Sequence, residues 1–271
     1  MNLSNQHSFA QAGAVFDDYA DVWGSFYDSD SESGRAFDYR NRQRTLLELV
    51  DRFLRPQADI LEFGCGAGQT AALLASRGHR LSCLDISPKM VEATHRTLSA
   101  SGLTANVACG TLHDVSYPPA SFDAVVAMGV MEYVPDHEAT LRRVYELLRP
   151  GGISLLSFTN ADSPFLVFEA PLRRVVGRFL HVLTHKEHYR NIADSKGRLN
   201  RLGELTKLHE QCGFAIQSTR FYSYGFRLSS WWLPPLFVVR RLDAKLNHSR
   251  LSDWGRGFIL VARKPSASEL P

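Results

Sequence analysis

The chain has 271 residues, of which 44% are hydrophobic and 22% charged, and its formal net charge is +3. These values fit a globular protein with a sizeable core and argue against an intrinsically disordered chain. The four cysteines form no CxxC pair and have no metal-ligand spacing. We therefore expect reduced thiols in a cytoplasmic protein.

The charge is distributed unevenly along the chain. Residues 1–160 carry 13 Lys and Arg against 19 Asp and Glu, whereas residues 161–271 carry 18 against 9. A basic C-terminal part fits an anionic substrate, a phospholipid surface or nucleic acid, and it also fits an ordinary solvated face.

The elements in chain order predict four parts. Residues 1–55 begin with an aromatic and acidic stretch (FDDYADVWGSFYD), predicted to be a helical lid, and continue into a lead-in helix in RQRTLLELVDRFL. Residues 56–160 alternate five short apolar runs with three helical stretches and form the predicted ligand-binding core. Residues 161–200 interrupt this alternation and are predicted to be a substrate cap. Residues 201–271 supply a helix and two further strands.

Strands that alternate with helices of ten to fifteen residues predict an α/β fold with a parallel sheet. Five strands precede the insertion and two follow it. The expected fold is a doubly wound, Rossmann-like, seven-stranded sheet with a helical insertion before the sixth strand.

The stretch LEFGCGAGQT at residues 61–70 places a glycine-rich turn directly after the first strand. A dinucleotide fingerprint would need glycine at position 69, where the chain has Gln69, and no lysine follows as a P-loop requires. Asp85 ends the second strand, at the point where an acidic residue accepts hydrogen bonds from ribose hydroxyls. Glu62 adds negative charge that favours a cationic ligand. A nucleoside bearing an amino acid and a sulfonium meets these demands, as S-adenosylmethionine does.

Four stretches taken together resemble the class I S-adenosylmethionine-dependent methyltransferases, over roughly residues 40–160. They are ILEFGCGAG, LDISPKM, SFDAVVAMGVMEYVPD and LLRPGG. Within that class the chain is most similar to the ubiquinone-biosynthesis O-methyltransferase group. The group has an M-E-M-L-E-H-V-P-D-like stretch where this chain has MGVMEYVPD. It has an S-T-L-N-R-N stretch after the fifth strand, where this chain has SFTNAD.

The resemblance implies a set of cofactor contacts. Arg44 would meet the methionine carboxylate, and Asp85 would bind the ribose. Gly64 and Gly66 of the glycine turn would line the cofactor, and Met128 would flank the site.

The resemblance also bears on catalysis and on metals. His185, in THKEHYR, matches a Thr-His pair of the group and is the predicted general base. The group has a glutamate where this chain has Gly129 and a histidine where it has Tyr133. We therefore expect no metal site.

The predicted function is methyl transfer from S-adenosylmethionine to a small, hydrophobic acceptor, at oxygen. The alternative is a non-catalytic scaffold that binds the cofactor, and Gln69 disfavours a dehydrogenase. The chain has no N-P-P-Y-like motif and no separate basic module, so a nucleic-acid partner is not expected. The basic and aromatic segments 165–183 and 226–246 predict either peripheral membrane contact or the walls of an apolar pocket. The oligomeric state is left open.

Overall fold

The computed structural model describes residues 13–14, 16–18, 20, 23, 27, 34–168, 198–225, 236–247, 249–266 and 268–269. Most of the predicted cap at residues 161–200 lies outside the described residues, as does His185. The same holds for much of the two segments predicted to contact a membrane.

The described part of the fold contains eight strands and six α-helices of defined bounds, besides short 3-10 turns and helical residues in the N-terminal stretch. The strands are β1 (Asp59–Phe63), β2 (Arg80–Asp85), β3 (Asn106–Cys109), β4 (Phe122–Ala127), β5 (Leu148–Asn160), β6 (Leu199–Asn200), β7 (Ala215–Tyr222) and β8 (Gly257–Arg263). The helices are α1 (Gly34–Phe53), α2 (Gln69–Ser76), α3 (Pro88–Ala100), α4 (His137–Leu147), α5 (Leu202–Gln211) and α6 (Leu236–Leu246).

The strands form one sheet in the order β3-β2-β1-β4-β5-β8-β7. The first five of these pair in parallel, whereas β8 runs antiparallel to both β5 and β7. The predicted doubly wound, seven-stranded sheet is confirmed. The two-residue β6 is an addition that pairs with the end of β5. Within the described chain, every helix is too short or too polar to span a lipid bilayer.

Hydrophobic cores cover both faces of the sheet. Ile60 and Leu61 are neighbours in β1, yet they belong to two different buried clusters because successive side chains of a strand point to opposite faces. Burial on both faces explains why the strands read as continuous apolar runs.

The start of α3 shows how the local sequence sets a helix boundary. The Ser87 hydroxyl accepts a hydrogen bond from the Met90 N–H at 3.0 Å, and Pro88 occupies the first helical position, as predicted. The Asp17 carboxylate accepts hydrogen bonds from the Ser87 hydroxyl and the Lys89 N–H. The N-terminal segment is thereby attached to the start of α3, beside the carboxyl end of β2.

His209 is buried on α5 between Phe158 and Phe214. Its Nδ1 lies 2.7 Å from the Leu205 carbonyl oxygen, to which it donates, and its Nε2 has no partner among the described residues. Burial lowers the pKa of His209 to about 4. The folded protein therefore holds this imidazole neutral.

We predict that His209 destabilises the fold in acid. The unfolded chain binds the imidazole proton more tightly than the folded protein does. The free energy of unfolding therefore has its full value above pH ~6.5 and falls as the pH decreases towards 4. His209→Leu should remove on the order of 2–3 kcal/mol of this pH-dependent loss. Urea unfolding between pH 7 and pH 4 measures it, with His95→Leu at an exposed position of α3 as control. Parallel profiles for wild type and His209→Leu would contradict the assignment.

Candidate functional site

A cavity opens at the carboxyl ends of β1, β2 and β4, and its space, including the part open to solvent, is about 730 Å³. In an open α/β sheet this edge is where ligands bind. The walls are formed by residues at the ends of those three strands or in the loops after them, by two residues of the neighbouring helices α2 and α3, and by aromatic side chains of the N-terminal segment. They are Phe16, Trp23, Tyr27, Glu62, Gly64, Cys65, Gly66, Thr70, Asp85, Ile86, Met90, Met128, Gly129, Val130, Tyr133 and Val134.

The glycine turn after β1 forms the floor of the cavity. Gly64 and Gly66 have φ angles of 68° and 56°, a left-handed backbone that favours glycine. A Cβ atom on Gly64 would overlap Cγ2 of Val130, so the loop after β1 and the loop after β4 approach too closely for any side chain. The structure places both predicted glycines, Gly64 and Gly66, at the cavity.

Asp85 holds this turn in place. Its Oδ2 accepts a hydrogen bond from the Gly66 N–H at 2.8 Å, and its Oδ1 accepts one from the Ser87 N–H at 3.0 Å. Burial raises the pKa of Asp85, and the two backbone N–H groups oppose that shift by favouring the ionised form. A carboxylate can accept further hydrogen bonds beyond these two, so Asp85 can still bind hydroxyl groups in the cavity.

Glu62, at the end of β1, is a buried acid inside the cavity wall. Its side chain is 2% exposed, and its Oε2 has no hydrogen-bond partner among the described residues. Burial raises the pKa of Glu62 to about 8, with a smaller contribution from Asp85, whereas Arg42 opposes the shift. An unpaired buried carboxyl of this kind is typical of a ligand-binding site.

The structure does not bring Arg44 to the cavity. Its side chain is 61% exposed and pairs with Asp243 of α6 at 3.2 Å. Arg42 lies on the buried face of α1 instead, and a Cβ atom on Gly129 would overlap its Nη1.

A sequence signal for Arg42 exists in the periodicity of α1. Arg42 stands four residues before Leu46, on the buried stripe of α1 that continues through Leu49 and Val50. Residues two apart on a helix point to nearly opposite sides. The same stripe therefore places Arg44 on the exposed side.

Aromatic side chains cover the cavity. Phe16 packs edge-to-face on Trp23 and Tyr133, with ring centroids 5.7 and 5.3 Å apart. Tyr27 stacks on Tyr39 at 5.5 Å. Trp23 reaches the glycine turn, since a Cβ atom on Gly66 would lie 2.9 Å from its Nε1. The described aromatic residues of the N-terminal stretch thus form an apolar part of the cavity wall, and its role as a lid stays a prediction.

Met128 lines the cavity, as the resemblance implies. Sequence reasoning missed Ile86 and Met90, which form an apolar wall next to Asp85. His185 lies outside the described residues, so its role stays a prediction. No group of three or more His, Cys, Asp and Glu side chains in the described part of the chain could hold a metal ion.

Little of the segments predicted to contact a membrane is described. Val167 and Phe168 are 54% and 62% exposed, and Arg240 and Arg241 are exposed on α6. Membrane contact stays a prediction.

The sequence matches known methyltransferases over its central part. Residues 60–152 match the family model of a methyltransferase domain. A ubiquinone biosynthesis O-methyltransferase from Xanthomonas axonopodis pv. citri (strain 306) is 31% identical over 147 residues, which are 54% of this chain and 61% of that protein. A tRNA 5-carboxymethoxyuridine methyltransferase from Escherichia coli (strain K12) is 31% identical over 126 residues, 45% of this chain and 47% of that protein. The match thus spans about half the length of these relatives.

Solved structures show the same fold at low identity. The magnesium protoporphyrin IX methyltransferase ChlM from Synechocystis PCC 6803, solved with bound SAH, has a TM-score of 0.64 and 17% identity, covering 95% of this chain and 99% of that one. The [4+2]-cyclase SpnF has a TM-score of 0.64 and 18% identity, covering 95% and 96%. The chain therefore has the class I methyltransferase fold, as the sequence predicts, and residues 60–152 resemble a methyltransferase domain.

We predict that Gly64→Ala disrupts the cavity floor. The added methyl group meets Val130 and is held at a positive φ, so the free energy of unfolding should fall by more than ~2 kcal/mol. Combining it with Val130→Ala should relieve the clash and leave ~1–2 kcal/mol of backbone strain. Gly78→Ala is the matched control, because Gly78 has a φ of 85° and an added methyl group there would meet no atom within 4 Å. Urea denaturation measures all three, and equal costs at Gly64 and Gly78 would contradict the close approach.

Proposed function

We propose that this protein is a methyltransferase that transfers a methyl group from S-adenosylmethionine to the oxygen of a small, hydrophobic acceptor. The observation that carries the proposal is the cavity in which Asp85 and the unpaired Glu62 meet the glycine turn, inside a domain that matches methyltransferases. No phosphate-binding loop competes with this interpretation, because Gln69 interrupts the dinucleotide spacing.

The residues of the cavity fit the parts of the cofactor. Asp85 offers its remaining acceptor sites to the ribose hydroxyls, and Ile86 and Met90 offer an apolar wall to the adenine. Glu62 offers an unpaired carboxyl to the positively charged amino acid end. The aromatic faces of Trp23 and Tyr27 are suited to a sulfonium, because a cation is attracted to the face of an aromatic ring.

When bound, the cofactor supplies a methyl group already activated by its positively charged sulfur. The protein then has to align the acceptor and exclude water, and such alignment accounts for much of the rate of a displacement reaction. The aromatic cover formed by Phe16, Trp23 and Tyr133 keeps the cavity apolar. An oxygen acceptor also has to lose its proton, and His185 remains the proposed base for that step.

The acceptor class is inferred from the cavity lining and from the names of similar proteins. The apolar lining favours a hydrophobic acceptor, and one similar protein is named as an O-methyltransferase. Another is named as a tRNA methyltransferase, so RNA has to be tested as an acceptor. No observation favours the non-catalytic scaffold, although the shared fold of a [4+2]-cyclase means that the fold alone does not decide the reaction.

The proposal is tested by following the methyl group. The purified protein is incubated with methyl-labelled S-adenosylmethionine and either a lipid-rich cell extract or total RNA. We expect label in an organic-extractable product and none in RNA. Label in RNA alone would overturn the small-molecule acceptor. Cofactor binding without any labelled product would favour the scaffold.

We predict that Asp85→Ala weakens cofactor binding. The ribose hydroxyls lose a charged acceptor, and the Gly66 N–H loses its partner, so the affinity should drop by ~1.5–3 kcal/mol. Calorimetry with S-adenosylhomocysteine measures this loss, with Asp114→Ala at an exposed position outside the cavity wall as control. NAD should not bind to the wild type. Unchanged affinity in a folded Asp85→Ala variant would remove Asp85 from the site.

A further inference from the structure

The described residues between positions 13 and 27 form an N-terminal cover on the cavity. Phe16, Trp23 and Tyr27 of this cover all belong to the cavity wall. Trp23 lies against the glycine turn, where a Cβ atom on Gly66 would come within 2.9 Å of its Nε1. A ligand in the cavity therefore meets the edge of the sheet on one side and the N-terminal cover on another.

The contacts of the N-terminal cover place it across the cavity. Phe16 packs edge-to-face on Tyr133, in the loop after β4, with ring centroids 5.3 Å apart. The next residue, Asp17, binds the start of α3, which follows β2. Because β1 lies between β2 and β4 in the sheet, these two contacts hold the cover over the carboxyl end of β1. The glycine turn of the proposed cofactor site lies at that end.

One end of the N-terminal cover is attached firmly to α1. Tyr27 stacks on Tyr39 of this helix with ring centroids 5.5 Å apart, and Trp23 packs on the same ring at 5.6 Å. The chain itself then continues into α1, which begins at Gly34. This end cannot leave the site without unfolding the start of the helix.

The other end of the N-terminal cover is held by polar contacts to a single carboxylate. Asp17 accepts hydrogen bonds from the Ser87 hydroxyl and from the Lys89 N–H, the latter at 3.3 Å. Both donors belong to the start of α3, where unpaired N–H groups favour a negative charge. The Ser87 N–H also binds Asp85, the proposed ribose ligand. A small set of contacts such as this can break and re-form as a ligand enters and leaves.

We propose that the N-terminal cover is a lid that stays attached at α1, is latched to the start of α3 by Asp17, and opens to admit and release the nucleoside ligand. The lid rests on the proposed function, since the ligand it encloses is the cofactor or its demethylated product. Closing brings three aromatic side chains against the ligand and keeps water from the reacting methyl group. The same opening step precedes both association and dissociation.

The first test removes the latch. Because an opening step limits both directions of exchange, Asp17→Ala should raise the association and dissociation rate constants of S-adenosylhomocysteine together, each by about tenfold. The dissociation constant should change by less than about threefold. Surface plasmon resonance measures both rate constants. Asp18→Ala, which removes the neighbouring exposed carboxylate and changes the net charge equally, should leave both unchanged.

Two further results of this test bear on the lid. Faster dissociation with unchanged association would make Asp17 an ordinary stabiliser of the bound state and would overturn the lid. If Asp17→Ala does not fold, Asp17→Asn keeps an acceptor for the Ser87 hydroxyl without the charge. It should raise both rate constants in the same way and to a smaller extent.

The second test locks the lid with a reversible disulfide. A Cβ atom on Gly13 would lie 3.4 Å from Cγ1 of Ile86, so Gly13→Cys and Ile86→Cys bring two thiols within reach of each other in the closed form. Cys109→Ser is included, because the Cys109 Sγ lies 3.7 Å from the Ile86 carbonyl oxygen and could capture the new thiol. The protein is loaded with labelled S-adenosylhomocysteine and oxidised with diamide, and the label is then chased with unlabelled ligand.

The locked protein should release the ligand at least about tenfold more slowly than the same variant after reduction. Comparing two redox forms of one protein removes the effect of losing Ile86 from the cavity wall. If S-adenosylhomocysteine does not bind to the wild type at all, the proposed function fails. If it binds, and neither Asp17→Ala nor the disulfide changes its exchange, only the lid fails.

Discussion

The hydrogen bonds of the Asp85 carboxylate join the three parts of the site. One oxygen binds the Gly66 N–H and so fixes the turn after β1, and the other binds the Ser87 N–H at the start of α3. Ser87 in turn accepts from Met90 and donates to Asp17, which attaches the N-terminal cover. A buried N–H left without its acceptor costs about 1–3 kcal/mol, so the turn, the helix start and the cover depend on one side chain. Asp85 is therefore a structural residue as well as the proposed ribose ligand.

The site is built at the expense of stability. Glu62 keeps a buried oxygen without a partner among the described residues, and Arg42 is buried on α1. Burying such charged groups costs stability, and glycine at Gly64 and Gly66 allows a close approach to the backbone. Selection for stability alone would remove them, and their concentration at one cavity supports a binding function.

The sequence predicts the sheet well, because it depends on local patterns. Glycine spacing and acids at strand ends led to Gly64, Gly66 and Asp85, and the family resemblance led to Met128; all four line the cavity. The choice between Arg42 and Arg44 depends on helix rotation, which a motif match does not contain. The pairing of β6 with β5 depends on how the chain returns to the sheet after the insertion. The spacing of apolar residues does not predict that path. Ile86 and Met90 were missed because two apolar residues near a helix start are equally typical of a core.

The two halves of the proposed reaction differ in where their residues come from. Most of the cavity wall, including the glycine turn and Asp85, lies within residues 60–152, the part that matches the methyltransferase model. Phe16, Trp23 and Tyr27 of the wall precede that part, and Phe16 contacts Tyr133 within it. A methyl donor that many proteins share needs the same binding residues at the strand ends in each of them. The N-terminal aromatic residues can change without disturbing the sheet. The same separation explains why the similarity to relatives bears more directly on the proposed donor than on the proposed acceptor.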